Sequence, residues 1–453
     1  MPSAKKIDEI LKYIKECSPG QDEFYQATEE VLSSLKPLLD VENKYLEHNI
    51  LESIVVPERS ILFRVNWVND AGKRETNLGY RVQFNSAIGP YKGGLRFHPT
   101  VNLGIMKFLG FEQIFKNALT GLQIGGAKGG SNFNPKGKSD NEIMRFCQAF
   151  MSELYKHIGK HKDVPAGDIG VGAREIGYLF GQYKKLTGEF EGVLTGKGLN
   201  WGGSKARKQA TGYGSVYFAE NFLNKYSKSL KGKKCAVSGS GNVAIYTIEK
   251  LYDMGAIPVS CSDSRGTIYQ ENGIDLKRLK LVKEINHHSL EEYATVDCKC
   301  QYIPVSKYPE NGHAVWHLEC EVAFPSATQN ELTLVDAQKL KENGCILVNE
   351  GANMPTTPEA YEFMKANGIL FSPGKAANAG GVATSQLEMS QNASMAQWSF
   401  EEVDIKLRTI MNNIFKTAYD TSVEFDCEGD LVTGANIAGF RKVADSMIDQ
   451  GAV

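Results

Sequence analysis

Residues 61–68 (ILFRVNWV) and 78–84 (LGYRVQF) alternate apolar and polar side chains, the period of strands half-buried on a sheet. Between them, NDAGKRETN supplies turn residues. After Ser139 the period lengthens: Ile143, Phe146, Phe150, Met151, Leu154 and Ile158 recur at helical spacing, and Ser139 with Glu142 has the spacing of a capping box. The first part of the chain therefore reads as mixed α and β.

Near residue 200 the pattern changes. KKCAVSGSGNVAIYTIEKLYDMGAIPVSCSDSRG predicts strand, glycine turn, helix and strand. Further on, EVAFPSA, GCILVNEGAN and GILFSPG are short apolar runs separated by helix-like spans, as in a parallel, doubly wound sheet. The fold class is α/β with two domains. A mixed α/β substrate and oligomerisation domain is expected over 1–202, and a Rossmann-type dinucleotide-binding domain over 203–429. The terminal segment from about 430 to 453 is expected to pack back on the first domain, as is the amphipathic helix around VDIKLRTIMNNIFKTAYD. A hinge is expected near Gly202 and Gly203.

Composition narrows the partners. At 453 residues the chain exceeds a single core, and a net charge of −2 gives no electrostatic reason to expect nucleic acid or a membrane surface. No apolar run is long enough to cross a bilayer, and MPSAKKIDEILKYIKECSPGQDEF has acids throughout rather than the core of a secretory signal, so a cytoplasmic location is expected. Cys298, Cys300, His313 and His317 only partly match a zinc-finger spacing, and Pro304 and Pro309 interrupt them; no metal is expected.

Gly239-Ser240-Gly241-Asn242-Val243-Ala244 departs from the dinucleotide fingerprint in its third glycine. It nevertheless lies between a strand and a helix, with Asp263 ending the next strand 24 residues beyond Gly239. Asp263 favours NAD(H) through the ribose 2′-hydroxyl, whereas Ser264 and Arg265 beside it suit a 2′-phosphate and favour NADP(H).

Four stretches of the first domain hold charge among apolar and glycine residues: GPYKGGLRF, GFEQIFKNALT, IGGAKGG and VPAGDIGVG. They carry Lys92, Lys116, Lys128 and Asp168. IGGAKGG is expected to be a strand running into a tight loop, its glycines clearing space for ligands around Lys128. A cleft gathering these groups would be cationic with one carboxylate, which suits a dianionic substrate and lowers lysine pKa values.

These stretches, together with TGKGLNWGGS, QATGYG, SGSGNVA, ATQNEL, NEGANMP and PGKAANAGGVATSQLEMSQN, resemble the hexameric glutamate dehydrogenases of the shorter microbial type over nearly the whole chain. The resemblance implies interconversion of L-glutamate with 2-oxoglutarate and ammonia, and a homohexamer. SDSRGT resembles the NADP-using members, so NADP(H) is expected ahead of NAD(H). By resemblance Lys128 is the catalytic lysine and Asp168 the carboxylate that shuttles the nitrogen proton. Lys116 and Gln113 would bind the α-carboxylate and the Gly167 backbone the amino group. Lys92, Ser385 and Arg207 would bind the distal carboxylate. Cofactor contacts would fall at Thr211, Gly239, Gly241, Asn242, Val243, Asp263, Ser264, Arg265 and Asn353. SKARKQATGYG departs from the expected pattern at Lys208 and Gln209, which bears on Arg207. An NAD-linked glutamate dehydrogenase is the alternative. A leucine- or phenylalanine-type relative would need an apolar pocket where Lys92 and Ser385 stand.

Overall fold

The two alternating runs are strands, and they pair with each other. Strand β1 (Arg59–Val68) lies antiparallel to β2 (Arg74–Asn85) in unbroken register, Arg59 opposite Gln83 and Val68 opposite Arg74. This computed structural model describes residues 2–295 and 299–451. With β3 (Tyr91–Phe97), β4 (Gly126–Ser131) and β5 (Asp163–Gly167) the pair forms a five-stranded sheet, ordered β1-β2-β4-β3-β5. The hairpin half is antiparallel, and β4-β3-β5 is parallel.

Two apolar layers bury this sheet. One combines α1 (Pro2–Cys17), α2 (Asp22–Ser34) and α3 (Leu103–Leu119) with Tyr80, Val82 and Phe84 of β2. The other combines α4 (Asp140–Leu154) and α5 (Ala173–Thr187) with Leu95 and Phe97 of β3. The predicted capping box opens α4: Ser139 Oγ accepts from the Glu142 N–H at 3.1 Å, and Glu142 accepts in return from the Ser139 N–H at 3.1 Å.

The second unit contains α6 (Ala210–Lys225), β6 (Lys234–Val237), α7 (Asn242–Asp253), β7 (Ile257–Pro258), β8 (Ser260–Asp263), β9 (Gly266–Tyr269), β10 (Gln301–Pro304), β11 (Val322–Phe324), β12 (Leu347–Asn349) and β13 (Leu370–Ser372). Its main sheet is parallel and ordered β13-β12-β11-β6-β7, with β8, β9 and β10 forming a small antiparallel sheet beside it. From β6 the chain winds first to β7 and later to β11 on the opposite side, which creates a switch point, the crevice where such sheets bind ligands.

Three long helices follow, α8 (Gly380–Ala393), α9 (Phe400–Glu424) and α10 (Leu431–Gln450). The span VDIKLRTIMNNIFKTAYD lies in α9, and its place differs from expectation: Leu407, Met411 and Ile414 join the second unit's core. The next helix reaches the first unit instead. Ile437, Phe440, Val443 and Met447 of α10 pack in the cluster that holds α3. An amphipathic period says that a helix has an apolar face, but not which core receives it.

A candidate active site between the two units

IGGAKGG is not a strand entering a loop. Residues 126–131 are β4 itself, in mid-sheet, and the preceding ALTGLQI closes α3 and turns. Its glycines also serve a different purpose from the one expected. A Cβ at Gly129 would stand 2.6 Å from the Tyr80 carbonyl, and one at Gly126 would stand 2.7 Å from Ile114 of α3. Gly130, at φ +156°, would meet the Arg96 carbonyl at 2.0 Å. The glycines let neighbouring backbone close in on β4, and Lys128 is the side chain that the strand still projects.

Lys128 is 4% exposed, and its Nζ lies 3.1 Å from Asp168 Oδ1. Arg96 Nε donates to Asp168 Oδ2 at 2.7 Å. Burial pulls the Lys128 ammonium below its ordinary pKa and Arg96 adds to this, while Asp168 opposes it. Burial alone would raise Asp168, but Lys128 and then Arg96 outweigh it and hold the carboxyl below its usual range. The pair is a lysine brought toward neutrality beside a carboxylate kept ionised. Gly94 makes room for it, since a Cβ there would lie 2.8 Å from Asp168 Cβ. Gly167 precedes Asp168 where a Cβ would meet the Val171 carbonyl at 2.4 Å, so the turn itself demands glycine.

Helix α3 brings Gln113 and Lys116 to the same cleft. Gln113 Nε2 donates to Asn117 Oδ1 at 2.7 Å. Lys116 Nζ donates to Asn353 Oδ1 at 2.9 Å, and Asn378 Nδ2 donates to the same oxygen at 2.9 Å. A residue expected at the substrate and a residue expected at the cofactor are thus direct partners across the two units. Desolvation, with Lys128 nearby, pulls Lys116 down to about 8 against the opposing pull of Glu112.

Lys92 is fully buried on β3, its Nζ donating to Thr195 Oγ1 at 2.7 Å and to the Val164 carbonyl at 3.0 Å. Burial, and then the Arg207 charge, push it well below the ordinary lysine value. Arg207 Nε donates to Ser385 Oγ at 3.1 Å, so all three residues expected at a distal carboxylate gather in one place. Sequence reasoning missed Arg96, Thr195, Lys197 and Glu388. Arg96 was findable, because it stands four residues after Lys92 and the strand period puts both on one face.

At the switch point Gly239, with φ +82°, turns the chain where a Cβ would lie 2.9 Å from the Ser326 carbonyl after β11. Gly241 differs. It precedes Asn242 and Val243 at the start of α7, has no side-chain cap, and a Cβ there would meet no atom within 4 Å. Packing does not require this glycine, whereas a pyrophosphate at a helix amino terminus does, so the turn fits a dinucleotide. Thr211 of α6 precedes Gly212, where a Cβ would stand 2.8 Å from the Val243 carbonyl at the start of α7.

Asp263 accepts from the Arg265 N–H at 2.9 Å, the Leu290 N–H at 2.8 Å and Lys283 Nζ at 3.2 Å. Its carboxylate is turned inward and saturated, and the exposed side chains of Ser264 and Arg265 remain at the rim. Lys283 adds a cation that the linear spacing gave no reason to expect. His313 and His317 instead serve Asp336, whose Oδ1 accepts from the His313 N–H at 2.8 Å and lies 3.2 Å from His317 Nε2. Cys298 lies outside the described residues, and among those described no group of three or more His, Cys, Asp or Glu is placed to hold a metal.

The profile for glutamate/leucine/phenylalanine/valine dehydrogenases matches residues 202–451, and that for the dimerisation domain of the same dehydrogenases matches 57–185. The NADP-specific glutamate dehydrogenase of Helicobacter pylori is 60% identical over 445 residues, covering 98% of this chain and 99% of its own. The NAD(P)-specific glutamate dehydrogenase of Xylanibacter ruminicola is 53% identical over 449 residues, covering 98% and 99%. Among solved structures, a Plasmodium falciparum glutamate dehydrogenase superposes with a TM-score of 0.96 at 51% identity, covering 99% of this chain and 95% of that one. With both profiles matched and identity sustained end to end, the chain belongs to the glutamate/leucine/phenylalanine/valine dehydrogenase family.

Proposed function

We propose that this protein is an NADP(H)-dependent glutamate dehydrogenase, interconverting L-glutamate with 2-oxoglutarate and ammonia and serving mainly ammonia assimilation. The observation that carries this reading is the buried Lys128–Asp168 pair, set between the Lys92 pocket and the contact of Lys116 with Asn353. When bound, the nicotinamide accepts or supplies the hydride. The chain's own residues bind, orient and move protons. Lys92, Ser385 and Arg207 take the distal carboxylate; Lys116 and Gln113 take the α-carboxylate, and the Gly167 carbonyl accepts from the amino group. Asp168 exchanges the proton on nitrogen. Lys128, with its lowered pKa, moves protons to and from the water that adds at the substrate carbon.

Thr211, Asn353 and the turn from Gly239 to Val243 hold the dinucleotide. Asp263 acts by shaping the loop after β8, and Ser264, Arg265 and Lys283 meet the 2′-phosphate. This arrangement supports NADP(H) ahead of NAD(H). A homohexamer working in the cytoplasm is part of this reading; the match to a dimerisation domain supports self-association. A cofactor-reduction assay of the purified protein tests all of this together, pairing glutamate or leucine with NADP or NAD. Glutamate with NADP should be fastest. Comparable turnover of leucine would overturn the substrate, and comparable use of NAD the cofactor.

A further inference from the structure

Glu388 is fully buried on α8, three residues after Ser385, and none of the roles above uses it. Its Oε2 accepts from the Gly196 N–H at 2.9 Å, and its Oε1 accepts from the Lys197 N–H at 3.3 Å and pairs with Lys197 Nζ at 2.8 Å. Thr195, adjoining Gly196, holds the Lys92 ammonium. One turn before Glu388 on the same helix, Ser385 receives Arg207. A single carboxylate therefore fastens the 195–197 loop, which holds one side of the distal pocket, to the helix that carries the other.

We propose that Glu388 is a positioning residue that sets the spacing and the charge of the distal-carboxylate pocket, and with them the preference for dicarboxylates. The inference rests on the roles given to Lys92, Ser385 and Arg207. Charged groups face Lys92 from every side. Arg81 on β2 is paired with the buried Asp163 of β5, Lys197 and Arg207 come from loops, and Glu388 comes from α8. Setting aside the Arg81–Asp163 pair, three cations, Lys92, Lys197 and Arg207, face one carboxylate, Glu388. The excess positive charge matches an incoming carboxylate. Glu388 favours the charged form of both Lys92 and Arg207 against the burial that disfavours it.

The test is the ratio of kcat/KM for 2-oxoglutarate to that for 2-oxovalerate, which has the same chain length without the distal carboxylate, followed from about pH 6 to about pH 10. Protons on Lys128 and Asp168 affect both substrates, so the ratio isolates the distal pocket. In the wild type it should fall as Lys92 loses its proton. Glu388→Gln leaves the cations uncompensated and should move that fall to lower pH by on the order of one unit. Lys197→Met removes one of the three cations and frees Glu388 of its partner, and should move it upward. The double variant restores the balance and should bring it back near the wild-type position. Should Glu388→Gln fail to fold, Lys197→Met and the double variant carry the test alone. A fall that stays put in the folded single variants, or moves the same way in Lys197→Met and the double variant, overturns the proposal. A wild-type ratio near unity would instead overturn the distal pocket itself, whatever the variants do.

Discussion

The substrate side and the dinucleotide turn make opposite use of side chains. Around Lys128 the site consists of charge already paired in the protein: Lys128 and Arg96 hold Asp168, Thr195 holds Lys92, and Asn353 holds Lys116. At Gly241 the site consists of a missing side chain and the free N–H groups of a helix. Substitution on the first side changes protonation states and chemistry, whereas on the second it changes only what backbone can approach. The two sides should therefore fail in distinguishable ways.

The largest effect belongs to the charged side. Lys128→Ala removes the amine proposed to transfer protons, and kcat should fall by at least about a thousandfold. Asp168 keeps its contact with Arg96, so folding and the dinucleotide KM should change little. Retention of a tenth of kcat would show that another group handles the protons and would blur the contrast between the two sides.

The turn should fail as a binding site. Gly241→Ala places a methyl where the protein has open space, so the melting temperature should hold while KM for NADP rises about thirtyfold, corresponding to about 2 kcal/mol of charge-assisted hydrogen bonding. Gly239→Ala should lose stability as well, because φ is +82° and the Ser326 carbonyl is 2.9 Å away from the added Cβ. Equal thermal losses in the two variants would mean that Gly241 is structural after all.

How much of each side could be read from the chain follows the same division. The turn is local: strand, glycines, helix and acid fall within one span, and what that span does not show is that Lys283 and the Leu290 N–H reach Asp263 from further along the chain. The β1–β2 hairpin and the α4 cap were legible for the same reason. The charged side is assembled from distant segments. Lys92, Lys116, Lys128 and Asp168 stood out as charges in apolar surroundings, yet nothing local says that Glu388 reaches back to Gly196. IGGAKGG misled because glycine serves a tight loop and a crowded central strand equally well, and only the partners β2 and β3 decide between them.

The smallest effect sharpens the contrast within the charged side, between the lysine proposed to react and the lysine proposed to bind. Lys116 is pulled to about 8 by desolvation, with Lys128 adding to it. A lysine holds its charge below its pKa, so Lys116 should attract the α-carboxylate below pH 8 and lose that attraction as pH rises through it. Between about pH 8 and about pH 9, kcat/KM for 2-oxoglutarate should fall about fivefold, mostly through KM. Lys116→Arg keeps a guanidinium charged throughout that range, and its KM should stay nearly flat, with a loss of a few-fold at neutral pH because the longer fork cannot repeat the contact with Asn353. Titration of Lys128 would register in kcat, since that lysine acts after the substrate is bound. If the rise in KM survives in the arginine variant, it belongs to Lys92, and the α-carboxylate is then held by a group that does not titrate near neutrality.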